Sequence, residues 1–272
     1  MNLQVLNNTP PWEWPEGAGE FIYNVLGDKK APLSDRVLAA QLAGDIGVMN
    51  DKMAALLLEI TRDSGEPEEL RCTAPISLGP ALDYTEMMEF DDYDDEPTLS
   101  EEVFYEVQER LRDIYYDAGT PKNVRRRLLE GAVRAPMDWH KKAIEEAYAF
   151  NDEDWLLTAV FCMGYVKGFD DQILEALNSK NPDIYYEAVC AAGNWGIKAA
   201  WPHVQELLTK DDIDKPLLIA AINAAATISP MEAADILLEL CNSDDEDIAE
   251  AADEALAMAG MLDDDLDEND LF

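Results

Sequence analysis

The feature that most constrains this chain is a ten-residue pattern that recurs along almost its whole length. Most copies have an apolar residue first, a small apolar residue fifth, an apolar or small residue ninth and Gly or Ala tenth, and three of them have Arg second. The copies begin at residues 35, 70, 124, 155, 184, 217 and 248. Most consecutive copies start about 30 residues apart, and one interval, from 70 to 124, is longer. A period of this length predicts repeated two-helix units.

The positions within the pattern fit one face of a packed helix. The apolar first, fifth and ninth residues form a single stripe, and a small fifth residue lets a neighbouring helix approach closely. The fifth residues are Ala39, Ala74, Leu128, Ala159, Ala188, Ala221 and Ala252. A second apolar segment follows most copies, and a single helix pair cannot bury its own apolar face, so the units must stack. The sequence therefore predicts an all-α fold, a right-handed α-solenoid of about seven helix–turn–helix repeats.

The same residues resemble a known repeat family. The core of the pattern, Val or Leu, Arg, two variable residues, Ala, three variable residues, Leu and Gly, is similar to the short HEAT-like repeat named after phycobilisome lyases. The likeness covers roughly residues 35–260, although Val133, Ala226 and Ala257 stand where three copies should have Gly. The resemblance implies a HEAT-like solenoid. It does not select a function, because this repeat occurs in lyases, hydroxylases and adaptors alike.

The spacing of the copies also predicts the organisation of the chain. Residues 1–30 are expected to cap the first repeat, and residues 31–262 to form the solenoid. The long interval holds an acidic segment at about 83–100, which we expect to be an inserted loop. Residues 263–272 are again acidic and are predicted to be a disordered tail.

The charge of the chain restricts its partners. With 58 acidic and 20 basic residues, the formal net charge is −38. Such a chain repels phosphate backbones and anionic lipid surfaces, so neither a nucleic acid nor a membrane is expected as a partner. Basic proteins or peptides are favoured as partners, although a high negative charge is equally explained by the solubility that it gives the protein. Four scattered cysteines without a CxxC pair, and a start without a basic, apolar leader, indicate a cytoplasmic protein.

No catalytic residue, metal site or cofactor is predicted. His140 and His203 are followed by Lys141 and Val204, so the His-Glu iron ligands of HEAT-like hydroxylases have no counterpart. The run from Asp263 to Asp267 begins like a calcium-binding loop but has Glu268 where Gly is required. Phosphate loops and nucleophile elbows are also missing from the sequence.

Aromatic residues are the strongest remaining indication of a site. They fall in three successive repeats, and exposed Trp and Tyr are frequent binding hot spots, although core packing would explain them equally. The candidate protein-binding residues are Trp139, His140, Trp155, Tyr185, Trp195 and Trp201.

Three functions remain open at this point. The first is a non-catalytic scaffold or adaptor that binds a protein or peptide, a basic one on charge grounds, along the concave surface of the solenoid. The second, implied only by the resemblance, is a bilin or tetrapyrrole lyase-like or small-molecule-binding protein. The third is an acidic chaperone or inhibitor that masks a basic partner. The sequence leaves the oligomeric state undetermined.

Overall fold

All regular secondary structure in the described part of the chain is helical. The computed structural model describes residues 1–88, 98–210 and 212–267, the stretch 261–267 by its backbone alone. Two short 3-10 helices, Pro11–Glu13 and Lys198–Ala200, accompany the α-helices. These are α1 (Leu3–Asn7), α2 (Ala18–Gly27), α3 (Leu33–Ala43), α4 (Asp51–Arg62), α5 (Glu68–Met87), α6 (Glu101–Tyr116), α7 (Lys122–Ala132), α8 (Asp138–Ala149), α9 (Glu153–Met163), α10 (Asp170–Ala176), α11 (Pro182–Asn194), α12 (Trp201–Leu208), α13 (Lys215–Ile228), α14 (Pro230–Leu240) and α15 (Glu246–Asp267).

The helices alternate between two roles, as the repeat pattern predicts. The ten-residue copies fall on the first helices of the repeats, α3, α5, α7, α9, α11, α13 and α15; the second helices are α4, α6, α8, α10, α12 and α14. Successive first helices pack on each other, α3 on α5 on α7 and α9 on α11 on α13 on α15. The predicted all-α solenoid of stacked helix–turn–helix repeats is therefore confirmed. The chain divides into two compact units, residues 1–143 and 144–272, which are described separately below.

Close contact between first helices depends on the small residues of the pattern. The fifth residue of every copy is completely buried. In unit 1 the backbone of α7 lies directly against α5: a Cβ added to Gly131 would be 2.0 Å from the carbonyl oxygen of Pro75. In unit 2 a Cβ on Gly193 would be 2.8 Å from the Cα of Ala224. Val133 departs from the pattern because Gly131, two residues earlier, supplies the close contact of that repeat.

The Arg of the pattern has a distinct role in unit 1, where it binds the end of the preceding helix. Arg36 Nε donates to the carbonyl oxygen of Leu26 at 2.9 Å, and Arg71 Nε donates to that of Thr61 at 3.1 Å. Arg125 Nη2 donates to the carbonyl oxygen of Asp117 at 3.1 Å. A cation at a helix C-terminus satisfies unpaired carbonyl groups and interacts favourably with the helix dipole. Arg71 and Arg125 therefore join successive repeats, and Arg36 joins α2 to the first repeat.

Ion pairs connect neighbouring repeats at both ends of the chain. Arg36 and Glu66 are buried and form two parallel hydrogen bonds of 2.6 and 3.0 Å. The hydrogen bond from Arg36 is the main reason that the pKa of the Glu66 carboxyl is lowered. In unit 2, Lys215 at the start of α13 contacts Asp245 at 2.6 Å and also pairs with Asp247. Arg36 and Lys215 are thus both used in contacts between neighbouring repeats.

The boundaries of the acidic segments differ in part from those expected. Helix α5 continues to Met87, so the start of the insertion, expected at 83, lies inside a helix. Residues 89–97 lie outside the described part of the chain. After them Leu99 is buried, the Ser100 N–H donates to Asp51 Oδ1 at 2.9 Å, and the Ser100 side chain caps the start of α6. Helix α15 is described to Asp267 and residues 268–272 are outside the described range, so the disorder of the tail stays a prediction.

The N-terminal segment packs on the first repeat. Trp14 Nε1 donates to the carbonyl oxygens of Leu6 and Thr9 at 3.0 and 2.9 Å and thereby folds the Pro-rich segment back on α1. Helix α2 then packs against α3. The division into cap, solenoid and tail remains a proposal about the domains.

We predict that Gly131→Ala destabilises the protein although Ala is the better helix former. The added methyl group would overlap the Pro75 carbonyl, and such overpacking costs about 1–3 kcal/mol or more, which exceeds the gain in helix propensity of about 1 kcal/mol. Urea unfolding followed by far-UV circular dichroism measures the effect. Gly260→Ala is the matched control, because a Cβ there meets nothing within 4 Å. Equal effects of the two substitutions would contradict the close backbone contact.

We predict that Glu66→Gln lowers the free energy of unfolding at neutral pH, because it leaves the Arg36 guanidinium buried without its anion. Removing one partner of a buried ion pair costs about 3 kcal/mol. Since the pKa of Glu66 is lowered by folding, its contribution is complete above the pKa of the unfolded chain. The contribution disappears as the pH falls below about 4.

The difference between wild type and Glu66→Gln should therefore shrink in acid. Urea unfolding of both proteins at several pH values tests this, with Glu59→Gln on the exposed side of α4 as the control. A difference that does not change with pH would contradict the role of the ionised carboxylate.

Candidate functional site

Trp139 and His140 lie in unit 1 within a cluster of rings. The ring centroids of these two residues are 3.9 Å apart, and the Trp139 ring is 5.2 Å from that of Tyr115 and 5.9 Å from that of Tyr116. His140 is only 1% exposed, whereas Trp139 is half-buried. The sequence left open whether these residues are binding hot spots or core residues, and His140 is a core residue.

The buried His140 closes the start of α8. Its Nδ1 accepts a hydrogen bond of 2.8 Å from the Met137 N–H, just before the helix, which is the role that a Glu or Gln side chain has in a capping box. Burial lowers the pKa of His140 to about 4. The imidazole is therefore neutral at physiological pH, and its Nε2 and the adjacent Trp139 Nε1 are buried without a hydrogen-bond partner among the described residues.

The remaining four candidates lie in unit 2 in separate environments. Trp155 is 4% exposed and stacks on Phe150, with ring centroids 5.2 Å apart. Trp195 is half-buried, and its Nε1 donates to the Met163 carbonyl oxygen at 2.7 Å. Tyr185, whose pKa is raised by burial and by Glu206, and Trp201 are also half-buried. No ring contact joins these four in the described part of unit 2, so a common aromatic groove stays a prediction.

The second helices of unit 2 present a different kind of surface. The α8 part of this unit, α10, α12 and α14 contain nine Asp or Glu residues and no Lys or Arg. Among these carboxylates three large apolar side chains are exposed: Phe150, directly after α8, by 51%, Met231 by 73% and Leu238 by 55%. We call this surface the acidic second-helix face. The sequence did not predict its apolar residues, because the exposure of Met231 and Leu238 depends on which side of α14 packs against α13 and α15. The side that packs carries the buried residues Ala233 and Leu237.

A pocket lies at one end of this face. It has a volume of about 380 Å³ and is lined by Tyr148, Phe150, Asn151, Asp152, Glu153, Leu156 and Glu175. The Tyr148 hydroxyl donates a hydrogen bond of 2.6 Å to Glu175 Oε2. Burial, followed by the hydrogen bond to Glu175, raises the pKa of Tyr148, so the phenol keeps its proton and holds the carboxylate. We call this the Phe150 pocket.

Unit 1 has a groove of another character between two of its second helices. This groove, of about 500 Å³, has apolar walls from Leu58 and Val107 and charged side chains of both signs at its rim. Arg110 in this rim is paired with Glu106 at 2.6 Å. The groove therefore lacks the uniform negative charge of the acidic second-helix face.

We predict that the His140→Gln variant is less sensitive to acid than the wild type. The pKa of His140 is about 4 in the folded protein and about 6.5 in the unfolded chain. A histidine with a lowered folded pKa destabilises the protein as the pH falls from about 6.5 to about 4, by about 3 kcal/mol in total.

Gln keeps the capping acceptor but has no charge to gain. Urea unfolding of both proteins between pH 7 and 4 gives the difference, and the NMR titration of the His140 ring, assigned by its loss in the variant, gives the pKa directly. Titration of His140 close to its ordinary value would contradict this prediction.

Comparisons with known proteins agree with the repeat architecture. Residues 171–257 match the family model for HEAT repeats. A search of curated protein sequences finds no match. Within the described part of the chain, none of the helices has both the length and the apolar character needed to cross a bilayer.

Several solved structures are similar to the chain at low identity. YibA from Escherichia coli is 15% identical with a TM-score of 0.44; the alignment covers 90% of this chain and 98% of that one. Human deoxyhypusine hydroxylase in complex with glycerol is 16% identical with a TM-score of 0.39; the alignment covers 89% of this chain and 96% of the hydroxylase chain. An archaeal HEAT-like repeats protein from Thermococcus onnurineus NA1 is 14% identical with a TM-score of 0.40; the alignment covers 90% of this chain and 97% of the archaeal chain. By the family match, the segment 171–257 of this chain consists of HEAT repeats.

Proposed function

We propose that the protein is a non-catalytic scaffold that binds a basic segment of a partner protein on the acidic second-helix face of unit 2. The observation that supports this most directly is the exposure of Phe150, Met231 and Leu238 among the nine carboxylates of the second-helix segments of unit 2, which contain no Lys or Arg. HEAT repeats typically mediate protein interactions, which is consistent with this role.

The combination of charge and apolar residues favours one class of partner. Burial of exposed apolar side chains supplies binding free energy, and the surrounding carboxylates attract and orient a positively charged segment. A second copy of the chain or its own acidic C-terminus would bring like charges together, which opposes binding. The partner is therefore expected to be a different, basic protein.

The arrangement on α14 indicates the form of the bound segment. Met231 and Leu238 are seven residues apart, so they lie on the same side of the helix, and exposed Asp235 lies between them. A segment that presents apolar residues on one side and Lys or Arg beside them matches this surface. An amphipathic basic helix has that pattern.

The two other functions are less well supported by the site. A bilin or tetrapyrrole would need a cleft lined by aromatic side chains. The groove of unit 1 and the Phe150 pocket instead have charged residues in their walls, and His140, the histidine of the aromatic cluster, is buried and therefore not open to a ligand. A chaperone or inhibitor that masks a basic partner would use the same acidic second-helix face, so it is a variant of the proposed function. A cytoplasmic location remains part of the proposal.

We predict that a designed amphipathic peptide of Leu, Lys and Arg binds the protein and that the Met231→Ser/Leu238→Ser variant binds it about tenfold more weakly, since two apolar contacts are lost. Fluorescence anisotropy with the labelled peptide measures the affinity. Raising the salt concentration should also weaken binding, because exposed charges are screened.

The control variant is Met87→Ser in unit 1, where an equally exposed methionine, at 70%, lies outside the proposed face. A peptide with Glu in place of Lys and Arg should not bind. The proposal fails if both peptides bind equally well, or if Met87→Ser weakens binding as much as the double variant does.

A further inference from the structure

We infer that the Phe150 pocket receives an arginine side chain of the basic segment, an inference that rests on the proposed function. The pocket combines an exposed aromatic ring, a half-buried aliphatic side chain and carboxylates within a small volume, and Lys and Arg are not among its lining residues. A long side chain with an apolar stem and a planar cation has the complementary chemistry.

The aromatic wall of the pocket is the ring of Phe150, which is held in place by the buried ring of Trp155. Phe150 stacks on Trp155 with an angle of 30° between the rings, and Trp155 is 4% exposed, so one face of Phe150 is covered by a buried side chain. The ring is nevertheless 51% exposed. A cation placed over the exposed part of an aromatic ring is attracted by its quadrupole, and a guanidinium group also stacks flat on it.

Two of the three carboxylates of the pocket, Glu153 and Glu175, are available for a cation. Glu175 accepts one hydrogen bond, from Tyr148, through Oε2, which leaves its other oxygen free of a protein donor in the described contacts. Glu153 is exposed and has no ion pair or hydrogen bond through its side chain among the described residues. Asp152 is already used, because its Oδ1 accepts from the Trp155 N–H at the start of α9.

Arginine fits this arrangement better than lysine. Its guanidinium has several N–H donors in one plane, which hydrogen-bond to carboxylates while the plane stacks on a ring. The ammonium group of lysine is a compact, strongly hydrated charge and gains less from the aromatic wall. The pocket is thus a specificity site at one end of the acidic second-helix face, and Tyr148 is its positioning residue for Glu175.

The test is an NMR titration of the full chain with Nα-acetyl-arginine methylamide, followed through the aromatic signals of Tyr148 and Phe150. We expect shifts localised to the pocket and weaker binding of the corresponding lysine amide. Phe150→Leu and Glu175→Gln should each weaken binding of the arginine amide about two- to fivefold. Circular dichroism establishes that both variants keep the fold.

The control is Glu250→Gln on α15, which removes the same charge from an exposed position on a first helix. The inference is wrong if the shifts spread evenly over the surface, if Glu250→Gln weakens binding equally, or if the lysine amide binds as tightly as the arginine amide.

The amphipathic peptide separates this inference from the proposed function. If the peptide binds through Met231 and Leu238 but neither Phe150→Leu nor replacement of its Arg by Lys changes the affinity, the arginine pocket is refuted and the scaffold stands. If the arginine amide binds in the pocket but the peptide does not bind, the scaffold proposal is refuted instead.

Discussion

The close approach of consecutive first helices is the constraint on which the rest of this structure depends. At Gly131 the backbone of α7 leaves no room for a side chain against the Pro75 carbonyl of α5, and Gly193 contacts Ala224 in the same way. Such close packing is favourable only when small residues on both helices let their backbones come into van der Waals contact. Because the first helices form these contacts, each second helix keeps one side exposed to solvent, and the acidic second-helix face consists of such exposed sides.

Basic side chains hold successive repeats together. Arg36, Arg71 and Arg125 bind the carbonyl ends of preceding helices, and Arg36 and Lys215 pair with carboxylates of the next repeat. In a chain with 20 basic and 58 acidic residues, the excess of carboxylates makes the surface predominantly negative. The negative charge of the acidic second-helix face follows from this composition and from the absence of Lys and Arg in α10, α12 and α14.

The sequence was sufficient for the fold because its signal is periodic. The buried fifth positions follow from spacing alone. The site was harder to predict, because the exposure of a side chain depends on its packing neighbours: Trp155 is buried beneath Phe150, and Trp139 packs on Tyr115 and Tyr116 from α6. Gly131 was missed because the glycine needed for close contact lies two residues before the position that the pattern assigns.

The composition of the acidic second-helix face has a consequence for how a complex would be mapped. Helices α10, α12 and α14 of this face contain no lysine, so they offer no primary amine to a bound partner. Amine-directed cross-linkers would therefore join a partner only at residues outside these three helices. A reagent that activates carboxylates would instead couple the side chains of Glu175, Asp235 or their neighbours directly to lysines of the partner, and would label the interface itself.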